Sequence, residues 1–292
     1  MHTPTRERTT PTYEGREPTK PTPWHWLVVL DVLVNNLATG LFLATAAGEL
    51  ASPEAFAPLV PLAYPLALAL LTIDLICLVL DLGDPWRFHH MLRVFKPTSP
   101  MSLGTWCLTA FSLPLVLVVA CDLFSPPPWL HTLAVVLGIL PAIGSAVYKG
   151  VLFSTGSQPG WRHARWLGAY FANSAMMLGC AALLLMAMAG GHARPTALLR
   201  PALAGLLVLN AIPLGLLIAD LGPDLCRSSG RGGLVVMAVL LLGGGMALPL
   251  VLLLAGDEPG LTVPAVVLIL LGSLAIRHAV VMLPHRLGER SG

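Results

Sequence analysis

Eight stretches of about 20 nearly uncharged residues recur along this chain, each long enough to cross the hydrocarbon core of a bilayer. Runs of that length leave few choices of fold. Inside a bilayer no water is available to the peptide groups, so each run must be a helix that closes its own backbone hydrogen bonds. The runs cover roughly residues 26–48, 59–81, 103–121, 129–153, 166–189, 201–219, 233–255 and 262–283. Composition agrees: the chain is 55% hydrophobic and 11% charged, with a mean hydropathy of +0.77. A soluble domain carries roughly twice that charged fraction. The expected fold is an all-α integral membrane protein with eight transmembrane helices, placed in the cell (inner) membrane.

Residues 1–23 are rich in Thr, Pro, Arg and Glu and have no apolar core, so they read as a disordered tail rather than a signal peptide. The first apolar run then acts as its own insertion signal. Basic residues gather in the segments on the N-terminal side: Arg6, Arg8, Arg16, Lys20, Arg87, Arg93, Lys96, Arg162, Arg165, Arg227, Arg231, Arg286 and Arg290, against Arg194 and Arg200 opposite. By the positive-inside rule both termini are expected in the cytoplasm, although basic loops that dock a partner give the same bias. Cys77, Cys107, Cys121, Cys180 and Cys226 stand singly, without the spacing of a zinc or iron–sulfur site. No metal site, haem or iron–sulfur cluster is expected in this chain, and no nucleic-acid partner.

A weak internal repeat relates the halves. Run 2 ends in Asp81-Leu82-Gly83-Asp84-Pro85 and run 6 in Asp220-Leu221-Gly222-Pro223-Asp224. Asn35 and Asn36 in run 1 find Asn173 in run 5, and Ala146-Val147-Tyr148-Lys149 mirrors Ala275-Ile276-Arg277-His278. Four helices per unit predicts halves related by an axis along the membrane normal.

Polar residues inside the runs are costly and usually face a partner, a cavity or a ligand. With eight crossings, Asp31, Asn35, Asn36, Asp74, Asp81, Tyr148, Lys149, Asn173, Arg277 and His278 all fall in the leaflet nearer the termini. The other leaflet has only edge residues such as Glu49, Asp122 and His131. Each residue alone has a plain reading: amides bonding between helices, Asp31 answering a helix dipole, Tyr148 in an aromatic belt, or Lys149, Arg277 and Asp81 snorkelling to headgroups. Their convergence predicts a polar cavity opening toward the segment 82–102, which is dense in charge, with His89 and His90 placed as surface residues.

That segment also carries a resemblance. Asp81-Leu82-Gly83-Asp84-Pro85-Trp86-Arg87-Phe88, with Lys96-Pro97-Thr98-Ser99-Pro100-Met101-Ser102-Leu103-Gly104-Thr105-Trp106 downstream, resembles the signature of the NrfD/PsrC family of polysulfide reductase membrane subunits. Trp24-His25-Trp26 with Ala38-Thr39-Gly40, and Tyr148-Lys149-Gly150 with Pro159-Gly160-Trp161, look like two further family motifs. The motifs cover residues 24–161, and the remaining runs agree by topology. The resemblance implies two four-helix bundles, residues 24–161 and 162–292. It also implies a quinone (menaquinone or ubiquinone) bound near one membrane face. The implied partners are a ferredoxin-like iron–sulfur subunit, served by a molybdopterin catalytic subunit or a multihaem cytochrome, and membrane lipid.

On that resemblance Tyr148 matches a tyrosine that bonds a quinone carbonyl, and Asp31 stands near a polar first-helix residue, often His, beside the same ring. Asp31 would accept a proton, Asn35 would orient it or the ring, and Lys149, Arg277 and His278 would complete the site, the two cations stabilising an anionic ring. Asp74 and Asp81 are candidates for a proton path. Arg87, His89, His90, Arg93, Lys96, Pro97, Thr98 and Ser99 are expected to dock the partner. The competing classes are a secondary transporter or ion-translocating protein, using the same buried Asp and Asn residues, and a purely structural anchor.

Overall fold

The structure, a computed structural model, describes residues 25–82, 84–124, 127–156, 158, 160–256 and 258–288. The expected disordered tail, Trp24, Gly83, Pro159 and Arg290 lie outside them, as does the side chain of Arg231. Each apolar run folds as a helix: span 1 Trp26–Ala51, span 2 Val60–Leu80, span 3 Pro100–Phe124, span 4 Pro128–Ser154, span 5 Leu167–Ala189, span 6 Ala193–Gly230, span 7 Gly232–Ala255 and span 8 Pro259–Val281. All regular structure among the described residues is helical. The chain is a multi-pass membrane protein.

Span 6 departs most from expectation. Sequence places its end near residue 219, at Asp220-Leu221-Gly222-Pro223, yet the helix continues to Gly230, where φ is 73°. At 1.5 Å per residue its 38 residues reach about 57 Å, well beyond the hydrocarbon core. The extension is held from the side: Arg165 bonds Asp220 at 3.2 and 3.3 Å, and His163 Nδ1 lies 2.7 Å from Asp224 Oδ2. Span 2, by contrast, stops at the matching residues. Asp84 is extended (φ −135°, ψ 92°) and a 3-10 helix, Pro85–Leu92, follows, because the residue before a proline disfavours the helical region. Span 7 carries a π-helix over Val239–Ala247, just before Pro249 and including Gly243, Gly244 and Gly245. A proline there removes a backbone donor, and the adjacent glycines let the helix widen.

Spans 1 and 5 form the middle. In span 1, 78% of the most apolar window is buried, and 61% in span 5, against 17% in span 7, whose sides face lipid. Spans 1 to 4 touch their neighbours in order, with span 4 returning to span 1; spans 5 to 8 do likewise. The halves meet where span 1 crosses span 5, flanked by contacts of span 4 with span 5 and of span 1 with span 8. The crossing requires glycine. A Cβ on Gly40 would lie 1.8 Å from the Ala175 carbonyl oxygen, and one on Gly179 would lie 1.9 Å from the Gly40 carbonyl carbon.

The apolar core lies in two clusters stacked along the helix axes, each drawing on both halves. One, away from the termini, includes Leu41, Phe42, Leu71, Phe111, Leu178 and Ile269. The other, nearer the termini, includes Val28, Val32, Phe153, Phe171, Leu217 and Ile276. A layer of polar side chains separates them. At the far end spans 1 to 4 are tied by Tyr64, which donates to Glu49 at 2.7 Å, and by His131, which pairs with Glu49 at 2.9 Å and Asp122 at 3.4 Å.

Substituting Gly40 with Val should abolish the folded monodisperse protein, since backbone rather than a movable side chain blocks the new atoms. Gly215→Ala, with nothing within 4 Å of its added carbon, should leave the thermal midpoint within a few degrees. Size-exclusion chromatography and thermal unfolding in detergent check both, and a well-folded Gly40→Val protein would contradict the packing.

Candidate functional site

The polar layer is built around one lysine. Lys149 on span 4 is 4% exposed, and its ammonium lies 2.8 Å from Asp31 Oδ2 on span 1 and 2.7 Å from Asp74 Oδ1 on span 2. It also donates to the Asp31 carbonyl at 3.3 Å. Asn35, one turn after Asp31, donates to Asp74 Oδ2 at 3.0 Å and to Ser145 Oγ at 3.1 Å. Three helices are thus joined through five side chains, and an ammonium with three donors suits a site offering three acceptors. Such a group is stable in a bilayer only because its charge is answered at contact distance.

A second cation lies deeper. Arg277 on span 8 is fully buried. It donates to Asn36 Oδ1 at 2.6 Å, to Ser174 Oγ at 3.2 Å, and to the carbonyl and hydroxyl of Ser273, the carbonyl at 3.1 Å. Its guanidinium carbon stands 5.2 Å from the Phe171 ring centre and 5.9 Å from that of Tyr170. Asn36 links the two cations' surroundings by donating to the Ala146 carbonyl at 3.1 Å, beside Ser145.

These contacts set the register of the internal repeat. Gly144-Ser145-x-x-x-Lys149 on span 4 corresponds to Gly272-Ser273-x-x-x-Arg277 on span 8, and each glycine packs on the preceding span, Gly144 on Cys107 and Gly272 on Gly245. The match is one residue away from the expected pairing of Lys149 with His278. Taking the crossing glycines Gly40 and Gly179 as equivalent, Tyr170 stands where Asp31 stands in the first half, and Ser174 where Asn35 stands. Asn173 has no part in this pattern; it donates to the Leu206 carbonyl and to Asn210 on span 6.

Beside Lys149 lies a cleft between spans 1 to 4 and the 85–92 segment. Val28, Val32, Leu78, Met91, Met101, Leu152 and Phe153 form apolar walls, while Asp31, Lys149, Tyr148, Thr105 and Asp81 supply polar groups. Asp31 Oδ1 is buried without a hydrogen-bond partner. Gly104 makes room for Tyr148, whose ring carbon would lie 2.0 Å from an added Cβ; the same ring has Lys149 Nζ 5.7 Å from its centre. At the end of span 2, partial burial pushes the Asp81 carboxyl above its usual range, an effect the His25 charge opposes.

Of the residues selected from sequence, Asp31, Tyr148, Lys149 and Asp81 line this cleft. Asn35 and Asp74 sit behind Lys149, and Asp74 is its closest ion-pair partner. Arg277 belongs to the span 5–span 8 side, and His278 is exposed on the outer face of span 8. Arg87, His89, His90, Arg93, Lys96, Pro97 and Thr98 are exposed and Ser99 half-buried, next to the cleft mouth. Arg87 pairs with Asp84 at 3.1 Å, and the His89 and His90 rings lie edge to face at 4.4 Å. Sequence reasoning passed over Ser145, Ser174, Ser273, Tyr170 and Thr105. It also passed over the exposed Trp86, Phe88 and Phe95, which make the 85–99 segment aromatic as well as basic. Ser145 and Ser273 precede Lys149 and Arg277 by one helical turn, a signal visible once the register is known.

A family model described as polysulfide reductase matches residues 18–286. The chain belongs to the polysulfide reductase (NrfD) family. No curated protein matches it. Membrane subunits of this family generally work with other subunits of an oxidoreductase complex, and the family motifs have clear places in the fold. The Gly104 motif seats Tyr148, and Trp161 locks the base of the site by donating from Nε1 to the Val280 carbonyl at 2.7 Å while packing on Phe153 at 4.7 Å.

Replacing Lys149 with Met would leave two buried carboxylates facing each other unanswered, at an expected cost of about 3–5 kcal/mol. Thermal unfolding of the purified protein should show the loss. A midpoint within a few degrees of wild type would mean that the cluster does not hold the helices together.

Proposed function

We propose that this polysulfide reductase family member is a quinone-reactive membrane subunit of a respiratory oxidoreductase, exchanging electrons between the menaquinone or ubiquinone pool and a ferredoxin-like iron–sulfur subunit. A molybdopterin enzyme or multihaem cytochrome completes the complex in this reading, and the termini and docking face lie in the cytoplasm, as the basic residues favour. The halves, residues 24–161 and 162–292, are its two four-helix bundles. The observation that carries the reading is the cleft: apolar walls on an amphipathic pocket inside the membrane, with a buried acceptor at Asp31 and a phenol at Tyr148. Apolar walls with a few convergent polar groups suit a flat ring with polar ends.

A bound quinol supplies two electrons and two protons. The residues fit such a ligand, because Asp31 Oδ1 is a buried acceptor with no other partner and the Tyr148 hydroxyl can donate or accept. Asp31 would take a proton at Oδ1 while Lys149 holds Oδ2 at 2.8 Å. Asp74 and Asn35 keep Lys149 in place, so the acceptor is oriented before the ligand arrives, the condition for efficient proton transfer. Asp81, on the same wall nearer water, is the exit for that proton. Leu78, Met91, Met101 and Phe153 exclude solvent from the ring. The 85–99 segment, beside the mouth, brings the partner close, with Trp86 and Phe88 as apolar anchors and Arg87, Arg93 and Lys96 for acidic groups.

Fluorescence quenching by a menaquinol analogue on the purified protein should be saturable. Loss of one hydrogen bond in Tyr148→Phe or Asp31→Asn should weaken it about 5- to 30-fold, while His278→Ala, on the outer face, should bind as wild type. Equal affinity in both cleft variants would reject this site.

A further inference from the structure

Each half of the chain is electrically unbalanced at its own site. The first half sets one cation, Lys149, against two carboxylates, Asp31 and Asp74. The second half keeps the matching cation, Arg277, but has Tyr170 and Ser174 where the first has Asp31 and Asn35. Among the described residues the polar partners of Arg277 carry no carboxylate: Asn36, Ser174, Ser273 and the Tyr170 phenol. Taken together, the four buried charges sum to zero.

We infer that Arg277 is the second counter-charge of the Asp31–Asp74 pair, and thus a positioning residue that sets the charge of the first-half cleft from the second half of the chain. The connection is physical. Arg277 bonds Asn36 at 2.6 Å; the next residue back, Asn35, bonds Asp74 at 3.0 Å; and Asn36 is fixed to span 4 beside Ser145, the other partner of Asn35. In a medium of low dielectric, unit charges separated by such a short relay still interact appreciably. With Arg277 present the two cations balance the two carboxylates, and Lys149 is shared between them. Without it the cluster carries one negative charge too many, and the two carboxylates repel each other with less to offset them inside the layer. The other titratable or polar groups facing the pair are Cys77 and Asp81 on span 2 and Tyr148 on span 4, with His25 beyond Asp81. Span 3 and the 85–92 segment present only Thr105, Met101 and Met91 to the cleft. None of these supplies the missing positive charge inside the layer.

The test is a charge-compensation cycle on the full chain in detergent, read by thermal unfolding and, separately, by binding of the menaquinol analogue. Arg277→Gln leaves the cluster at −1 and Asp74→Asn leaves it at +1, so each alone should lower the midpoint by about 10 °C. The double variant restores neutrality and should lie within about 5 °C of wild type, well above the sum of the single effects. Arg277→Lys should recover most of the loss, and Arg277→Gln with Asp81→Asn should not, since Asp81 lies outside the layer. Quinol binding, which rests on the proposed cleft function, should fall at least tenfold in Arg277→Gln and return in the double variant. Additive losses in the Arg277→Gln/Asp74→Asn protein would overturn the inference and reduce Arg277 to a hydrogen-bonding strut. If Arg277→Gln fails to fold, recovery of folded protein by Asp74→Asn supports the inference, and failure of the pair where Arg277→Lys folds sinks it. The unfolding cycle needs no ligand, so it still decides the matter if even the wild type binds no quinol.

Discussion

The structure depends on one ammonium group shared by two carboxylates. Lys149, Asp31 and Asp74 come from three helices, and none of them could stay charged in the membrane alone. Together they hold spans 1, 2 and 4 at a fixed separation, and that separation opens the cleft next to them. Asp31 and Lys149 therefore act as clamp and as cleft wall, with Asp74 behind them. This explains why the polar layer lies between the two apolar clusters instead of being dispersed: the apolar residues above and below keep water away from charges that are strong only when dry.

The internal repeat gives the layer its form. Two copies of a Gly-Ser-x-x-x-cation element, on spans 4 and 8, face spans 1 and 5, which cross at a pair of glycines too close for any side chain. The two copies have since been put to different use. The first has kept carboxylates and a cleft with polar groups; the second has an arginine among serines and aromatic rings, beside a groove lined by leucines, Met237 and Ile276. One helical pattern thus frames a polar cleft in the first half and an apolar groove in the second. Family membership, over residues 18–286, covers both halves.

At the surface the two halves differ as well. Span 2 stops and gives way to a short 3-10 helix whose aromatic and basic side chains stand in solvent, whereas span 6 runs on past the membrane and is braced by Arg165 and His163. A proline placed after an extended aspartate ends the first; a proline inside the second, with ionic partners on its flank, does not. Nearly identical five-residue strings thus give an exposed 3-10 segment in one half and a helical prop in the other.

The number of spans, their order and the leaflet that holds the polar residues were legible from the sequence, because crossing a bilayer demands apolar length and penalises every charge within it. Asp31, Tyr148 and Lys149 could be singled out for the same reason: a buried ionisable group in a membrane must have a purpose. What the tertiary structure decided was partnership. That Asp74 answers Lys149, that Arg277 lies among serines across the span 1–span 5 crossing, and that His278 points outward depend on rotations about helix axes, which nearly uniform apolar helices do not encode in their periodicity. The repeat was visible but misaligned by one residue, a slip that turns a helix by about 100° and exchanges a buried residue for an exposed one. Only the packing of Gly40 on Gly179, with the bonds of Lys149 to Asp31 and Asp74 and of Arg277 to Ser273, sets that angle.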